Sequence, residues 1–158
     1  MKIRPFENKD LKAAAVVHRA AFKRQRMSYE WIECNAKAYP RFQIFVAETH
    51  QNEIVGYIHW SQKSGFRPEV VLELEQLAVL PDFQGMGVGT KLILESLPRV
   101  QAQLKTRHSE LKHILVTTRA DNSAQRLYKK TLNAEVEATI RNLYSADEVV
   151  MISRHVNI

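Results

Sequence analysis

Three of the five glycines in this chain stand at alternate positions, between an apolar run and an apolar helical pattern. They are Gly85, Gly87 and Gly89. The run at residues 70–80 predicts a strand, and the pattern from about residue 87 towards residue 107 predicts a helix. Glycine permits a tight turn, and the first turn of a helix presents unpaired N–H groups. The stretch therefore predicts an anion site that suits a pyrophosphate, with a turn that only packs strand against helix as the alternative.

Hydrophobic periodicity along the chain predicts a mixed α/β (α+β) domain. The elements follow in the order strand, two helices, three strands, helix, strand, helix and two strands. The further strands are expected at residues 3–6, 42–48, 53–61, 113–118, 135–143 and 148–155. Helix N-caps are expected at Asn8 or Asp10, at Ser28, and at Asn122 or Ser123. Pro98 falls in the helix after the glycines and should kink or divide it.

Length and composition indicate one globular domain over residues 1–158. The chain is 45% hydrophobic and 25% charged, which does not fit a disordered segment. Lysine and arginine number 23 against 17 acidic residues, giving a net charge of +6, so an anionic partner fits. Because the basic residues are dispersed rather than gathered in one block, the charge does not favour nucleic acid.

The beginning of the chain and its cysteine content predict a cytoplasmic protein without membrane contact. No apolar stretch has the length of a signal-peptide core or of a span of ~18 residues. Cys34 is the only cysteine, so no intramolecular disulfide is possible, and no Cys/His cluster has the spacing of a zinc site. We therefore expect a protein of the reducing cytosol that binds no metal.

Two stretches of the sequence match known motifs. LAVLP at 77–81 followed by QGMGVG at 84–89 resembles the acyl-CoA-binding motif of the GCN5-related N-acetyltransferase (GNAT) family, Q/R-x-x-G-x-G/A after a strand. The sequence RADNSAQRLY at 119–128 resembles the second motif, in which a Tyr stands six residues after an Asn. The resemblance implies a mostly antiparallel sheet flanked by helices. It also implies direct transfer of an acetyl group from acetyl-CoA to a primary amine, without a metal.

The resemblance assigns cofactor contacts to residues of both motifs. Backbone groups of the strand would contact the pantetheine arm, and an amide near Val79 would polarise the thioester oxygen. N–H groups of the glycine loop would hold the pyrophosphate, and Asn122 would assist the cofactor arm. The implied residues are Leu77, Ala78, Val79, Gln84, Gly85, Met86, Gly87, Val88, Gly89, Thr90 and Asn122.

Glu73 and Glu75 are the candidates for removing the proton of the amine. Reaching the neutral form of a lysine-like amine at pH 7 costs roughly 4.6 kcal/mol, because its pKa is near ~10.4. The two glutamates have the same parity on the predicted strand, so they point to one face. Glu73 lies where histone-type members of the family carry their base, and we prefer it narrowly to Glu75. The alternative for both is a solvent-facing strand edge.

Tyr128 matches the general acid of the family, whose phenol can protonate the departing CoA thiolate. The alternative is a core aromatic residue, since Ala124 and Tyr128 share a helix face. The preceding Asn122, in the position of the second motif, favours the acid.

The acceptor amine is the least determined part of the prediction. The sequence EATIRNLY at 137–144 is similar to the ribosomal-protein alanine acetyltransferases, but Thr117 stands where that branch carries its glutamate, and TLNA at 131–134 replaces the usual turn. We therefore predict acetylation of a small-molecule, peptide or protein amine by a monomer or homodimer. The alternative is a non-catalytic acyl-CoA-binding regulatory module, and a nucleotide-binding regulator is a weaker one.

Overall fold

The computed structural model describes residues 1–154 and residue 156. Its strands are Lys2–Pro5 (β1), Phe42–Glu48 (β2), Ile54–Gln62 (β3), Glu69–Val79 (β4), Glu110–Arg119 (β5), Glu135–Ile140 (β6) and Glu148–Ser153 (β7). Its α-helices are Leu11–Ala21 (α1), Ser28–Lys37 (α2), Val88–Lys105 (α3) and Gln125–Leu132 (α4). The order of these elements and the mixed α/β class are those that the sequence predicts, so both predictions are confirmed.

The strands form one sheet in the order β1-β2-β3-β4-β5-β7-β6. The strands β4 and β5 pair in parallel, because the long crossover through α3 lies between them. The pairs β1–β2, β5–β7 and β6–β7 are antiparallel. The sheet is therefore mostly antiparallel with helices flanking it, as the family resemblance implies.

The backbone contacts divide the chain into two compact units, which are described separately. The first contains Met1–Trp60 and Gln76–Leu97, and the second contains Ser61–Glu75 and the chain from Pro98 onwards. The core of the first unit is built by α1, α2 and the strands beneath them, from Ala14, Val17, Ile32, Val46, Ile54, Tyr57 and Ala78. In the second unit the alternating buried residues of β5 and β7 include Ile114, Val116, Val149 and Met151. Alternation of this kind buries one face of each strand.

Two predicted helix caps are wrong in their chemistry. The helix α2 begins at Ser28 itself, after Met27 in the left-handed region (φ 54°), and the Ser28 hydroxyl lies 2.9 Å from His18 Nδ1. Ser28 is thus used for a tertiary contact instead of a cap. The helix α1 begins after Asp10 as predicted, but the Asp10 carboxylate accepts hydrogen bonds from Arg4 and from the Glu7 N–H. In both cases the side-chain oxygen that the local sequence predicts as a helix cap forms a hydrogen bond with a buried polar side chain instead.

Other boundaries also differ from the predictions, and the strand predicted at 135–143 ends at Ile140. Pro98 lies inside α3, which continues as a single helix to Lys105, so the expected division is wrong, and the alternative, a kink, stays a prediction. The strand predicted at 113–118 begins earlier, at Glu110, where its N–H donates to Pro68 O. The last predicted strand ends at Ser153, and its final residue, His155, lies outside the described residues.

A buried ion cluster joins β1, β2 and the start of α1. The Arg4 guanidinium donates to both Asp10 oxygens at 2.7 and 2.8 Å, and to both Glu48 oxygens at 2.9 Å each. Arg4 and Asp10 are 7% and 4% exposed, so the pair is removed from water. A planar guanidinium that is bidentate to two carboxylates satisfies their charges where solvent does not.

Gly56 on β3 allows close packing against the end of β4. A Cβ built on Gly56 would lie 2.9 Å from the Ala78 backbone oxygen and 3.3 Å from Leu92 Cδ1. No motif in the sequence marks this glycine, because the close approach depends on the neighbouring strand.

Replacing Gly56 by Ala should lower the free energy of unfolding by about 1–3 kcal/mol, since a backbone oxygen cannot rotate away as a side chain can. The measurement is urea unfolding of wild type and variant. An unchanged midpoint would contradict the close approach of β3 and β4 at Ala78.

Candidate active site

Two of the three loop glycines have backbone conformations that other residues rarely adopt. Gly85 has φ +75° and Gly87 has φ +79°, whereas Gly89 is an ordinary residue of α3. A Cβ built on Gly85 or Gly87 would meet no atom within 4 Å. The glycines are therefore required by the turn of the backbone, and the space beside them is open to a ligand.

The loop leaves a run of backbone N–H groups without backbone acceptors. The N–H of Lys91 donates to Gly87 O at 3.0 Å and is the first to do so in α3. Within the described chain, no backbone acceptor is bonded to the N–H groups of Gly85, Met86, Gly87, Val88, Gly89 and Thr90. These donors stand at the N-terminus of α3, where the helix dipole favours negative charge. They are the groups that the sequence predicts for an anion, and that assignment stays a prediction.

Gln84 fixes the beginning of this loop against the end of β4. Its Nε2 donates to Val79 O at 3.0 Å, and the N–H of Leu80 donates to Val55 O at 2.8 Å. The Gln84 side chain thus closes the turn between strand and helix. The same contact occupies one lone pair of the Val79 carbonyl.

Burial alternates along β4 and places the two predicted glutamates on one face. Glu73 and Glu75 are half-buried, whereas Leu72 and Leu74 are each 2% exposed. The Glu73 carboxylate lies 2.7 Å from Lys63 Nζ, and Thr117 Oγ1 donates to its other oxygen at 3.5 Å. The shared face is as predicted. The ion pair between Lys63 and Glu73 is not indicated by the sequence. An incoming amine would compete with the Lys63 ammonium for the Glu73 carboxylate.

Asn122 shapes the turn that leads from β5 into α4. Its Oδ1 accepts from the Ala124 N–H and its Nδ2 donates to Thr118 Oγ1, both at 2.9 Å. The N-cap itself is Ala124, so the predicted cap at Asn122 is displaced by two residues into a side-chain turn. Asn122 retains one amide hydrogen and one lone pair beyond these bonds.

Tyr128 lies on α4 with its ring buried and its hydroxyl unbonded. The residue is 7% exposed, and in the part of the chain that the structure describes its hydroxyl makes no hydrogen bond. Burial raises the pKa of the Tyr128 phenol to about 12. The phenol therefore remains neutral over the usual pH range and can donate a hydrogen bond to a ligand.

A polar network centred on Gln76 was not expected from the sequence. Gln76 Oε1 accepts from Trp31 Nε1 at 2.9 Å and from the Tyr57 hydroxyl at 2.8 Å. Gln76 Nε2 contacts Gln25 Oε1 at 3.3 Å, and His18 Nε2 lies 2.9 Å from the same oxygen. The network ties the segment between α1 and α2 to the residue just before Leu77. Its only sequence signal is a polar residue at a buried position of an apolar strand.

Among the described residues, no group of three or more His, Cys, Asp or Glu side chains is placed to hold a metal ion. None of the helices in that part of the chain is both long and apolar enough to cross a bilayer.

Comparison with known proteins gives one family and many similar folds. The family model "Acetyltransferase (GNAT) domain" matches residues 40–131, which is more than half of the chain. The Escherichia coli ribosomal-protein-S18-alanine N-acetyltransferase is 19% identical over 99% of this chain and 94% of its own, with a TM-score of 0.76. Arabidopsis thaliana NAA60, solved with a bisubstrate analogue, is 18% identical over 96% and 95%, with a TM-score of 0.76. A search of curated proteins gives no match.

A third solved structure was determined with the cofactor that the sequence motif implies. An aminoglycoside 6'-N-acetyltransferase in complex with coenzyme A is 16% identical over 96% of both chains, with a TM-score of 0.73. At these identities the solved structures establish the fold.

The fold, the glycine loop and the matching family model define an acetyltransferase domain, and the chain belongs to the GNAT family. It is an acyl-CoA-dependent acetyltransferase, and this favours an enzyme over the non-catalytic acyl-CoA-binding module.

Proposed function

We propose that this protein transfers an acetyl group from acetyl-CoA to a primary amine of a small molecule, peptide or protein. The observation that carries the proposal is the run of unbonded N–H groups from Gly85 to Thr90, within a domain of the GNAT family. An anion is the ligand that such donors accept at a helix N-terminus. The lone, exposed thiol of Cys34 suits the reducing cytoplasm, where we place the protein.

The residues present fit acetyl-CoA. We assign the pyrophosphate to the loop N–H groups, the pantetheine arm to the backbone of Leu77, Ala78 and Val79, and further support of that arm to Asn122. Bound acetyl-CoA supplies the acetyl group as a thioester. A strand N–H near Val79 would hold negative charge on the carbonyl oxygen, since preorganised donors stabilise charge that develops during the reaction.

Tyr128 is the proposed donor to the leaving sulfur. A phenol with a pKa of about 12 is a weaker acid than a thiol, whose ordinary pKa is near ~8.5. We therefore assign to Tyr128 a hydrogen bond that stabilises the thiolate as the sulfur leaves, while the phenol keeps its proton. The unbonded hydroxyl supports this assignment, because no protein acceptor in the described chain has to be displaced.

Glu73 and Glu75 are the proposed route for the amine's proton. They lie on one half-buried face of β4, and a carboxylate is needed where an ammonium must lose a proton. Glu73 shares its charge with Lys63, which weakens its pull on a second cation. Charge removal at Glu73 and at Glu75 separately would show which of them the reaction needs.

Replacing Gly87 by Ala should weaken acetyl-CoA binding by roughly tenfold or more. An L-residue in the left-handed region costs about 1–2 kcal/mol, and relief of that strain turns the loop N–H groups away from the anion. Calorimetric titration with acetyl-CoA measures the change, with ATP and NAD as ligands that should not bind.

Gly65 provides a matched control for Gly87. It also has a positive φ (+93°) and open space around its missing Cβ, but it lies outside the glycine loop. Gly65→Ala should carry similar backbone strain and retain acetyl-CoA affinity. If folded wild-type protein does not bind acetyl-CoA, or if both variants bind as wild type does, the proposed loop ligand is wrong. Release of CoA thiol with a panel of primary amines then tests the transfer itself.

A further inference from the structure

Glu148, at the first position of β7, is a buried carboxylate that no sequence motif marks. The residue is 6% exposed. Across the described chain its carboxylate takes part in no hydrogen bond or ion pair within 4 Å. Its oxygens do not belong to the fully enclosed, unbonded polar atoms of the described residues, so they remain reachable from solvent. A charge held in this way is costly unless a cation or a proton arrives.

Arg119, the cation expected to pair with the Glu148 carboxylate, pairs with another carboxylate. Arg119 is the cross-strand partner of Glu148 in the β5–β7 register. Its guanidinium instead donates to both oxygens of Asp121, at 2.9 and 2.8 Å, and to the Ser145 hydroxyl at 3.3 Å. The other strand beside β7 places Ile140 opposite Glu148, and that side chain carries no charge. Among residues 1–154 and 156, Glu148 therefore has no cation in contact with it.

Glu148 shares a sheet face with other polar residues of the second unit. Arg119 and Thr117 are two residues apart on β5, so both point to the face on which Glu148 lies. Thr117 and Glu148 are diagonal neighbours, a relation that places residues roughly 7–8 Å apart. On its other side, Thr117 contacts Glu73. Two carboxylates thus flank one threonine, and only the Glu73 carboxylate has an ammonium beside it, that of Lys63.

We propose that the Glu148 carboxylate binds the ammonium form of the acceptor, which makes Glu148 a specificity-determining residue for cationic amines. The inference rests on the proposed acetyl transfer to an amine and adds the charge state in which the acceptor is recognised. A charge-assisted hydrogen bond between ammonium and carboxylate satisfies the group that the fold leaves unpaired. The acceptor then loses its proton only after it has been bound.

The electrostatic surroundings of Glu148 agree with this role. Burial raises the pKa of the Glu148 carboxyl, Arg119 opposes that rise through its charge, and Asp121 adds to it. An arriving ammonium would lower the pKa again by pairing with the carboxylate. Binding of the cation and ionisation of Glu148 therefore favour each other.

The test compares two acceptors of the same shape and different charge. Butylamine is protonated at pH 7, whereas O-propylhydroxylamine has an oxygen in place of one methylene and a neutral amine at that pH. With acetyl-CoA and thiol release as the assay, Glu148→Gln should raise KM for butylamine roughly tenfold or more, the strength expected of a hydrogen bond to a charged group. KM for O-propylhydroxylamine should stay at the wild-type value, and kcat for butylamine should change little.

Glu137→Gln is the matched control, because Glu137 is an exposed glutamate of the neighbouring strand β6, paired with Arg154 at 2.9 Å. It should leave both KM values unchanged. Thermal unfolding of Glu148→Gln should be no lower than that of wild type, since the amide removes an unpaired buried charge. An unchanged KM for butylamine, or an equal rise for both acceptors, would overturn the role of Glu148 and leave acetyl transfer standing. If wild type acetylates no amine, the proposed function fails, and this inference fails with it.

Discussion

Replacing Tyr128 by Phe should lower kcat about 100-fold or more, the usual contribution of one positioned hydrogen-bond donor to a developing negative charge. The change removes a single hydroxyl, which makes no hydrogen bond to the described chain, so packing of the ring is retained. The thiolate would then leave without a donor. Affinity for acetyl-CoA should remain at the wild-type level, because the loss falls on the reaction step. Steady-state thiol release and calorimetric titration measure the two quantities.

Tyr39→Phe is a control for the loss of a phenol, since Tyr39 is 64% exposed and belongs to no proposed part of the site. Its kinetics should match those of wild type. Wild-type kcat in Tyr128→Phe would remove Tyr128 as the donor. A fall in acetyl-CoA affinity equal to the fall in kcat/KM would assign the hydroxyl to binding instead.

Replacing Asp10 by Asn should lower the free energy of unfolding by about 3–5 kcal/mol, the cost of breaking a buried ion pair on one side. Arg4 would remain buried and charged, and among the described residues Glu48 would be its one charged partner at hydrogen-bonding distance. Urea unfolding measures the loss. Glu7→Gln is the control, because Glu7 is half exposed and its oxygen is 4.0 Å from Arg4, a surface contact of small value. A loss in Asp10→Asn no larger than in Glu7→Gln would contradict the prediction.

The Asp10 carboxylate also makes part of the free energy of unfolding depend on pH. Burial alone would raise the pKa of Asp10, but hydrogen bonds from Arg4 and from the Glu7 N–H outweigh it and hold the pKa below its usual value. The folded protein thus binds fewer protons than the unfolded chain, whose Asp pKa is near ~3.9. The stabilisation is present above that pH and is lost as the pH falls through the folded-state pKa. The gap in stability between wild type and Asp10→Asn should therefore close in acid.

The sequence is most informative about the glycine loop. Gly85 and Gly87 both have a positive φ, which favours glycine at these two positions. The strand before them and the helix after them are visible in the hydrophobic pattern. Both signals are local, so they can be read without knowledge of the fold. The pattern correctly gives the order of all eleven strands and α-helices, and the parity that places Glu73 and Glu75 together.

Contacts between distant residues are invisible to such patterns. Ser28 reads as a helix cap, but its hydroxyl lies beside His18, because a buried ring nitrogen needs a partner. In the sequence Gln76 is one polar residue within a strand. In the structure it forms hydrogen bonds with Trp31, Tyr57 and Gln25. Each of these depends on which elements become neighbours.

The sequence by itself determined the family of this protein and the glycines that its loop backbone requires, because both depend on residues close together in the chain. Only the tertiary structure decided how the carboxylates are paired. Lys63, just after β3, pairs with Glu73 on β4, whereas Arg119 pairs with Asp121 and leaves Glu148 without a cation among the described residues. Charge pairing is decided by distances of a few ångströms in a medium of low polarity. Those distances depend on which elements become neighbours in the fold, which a local sequence pattern does not show.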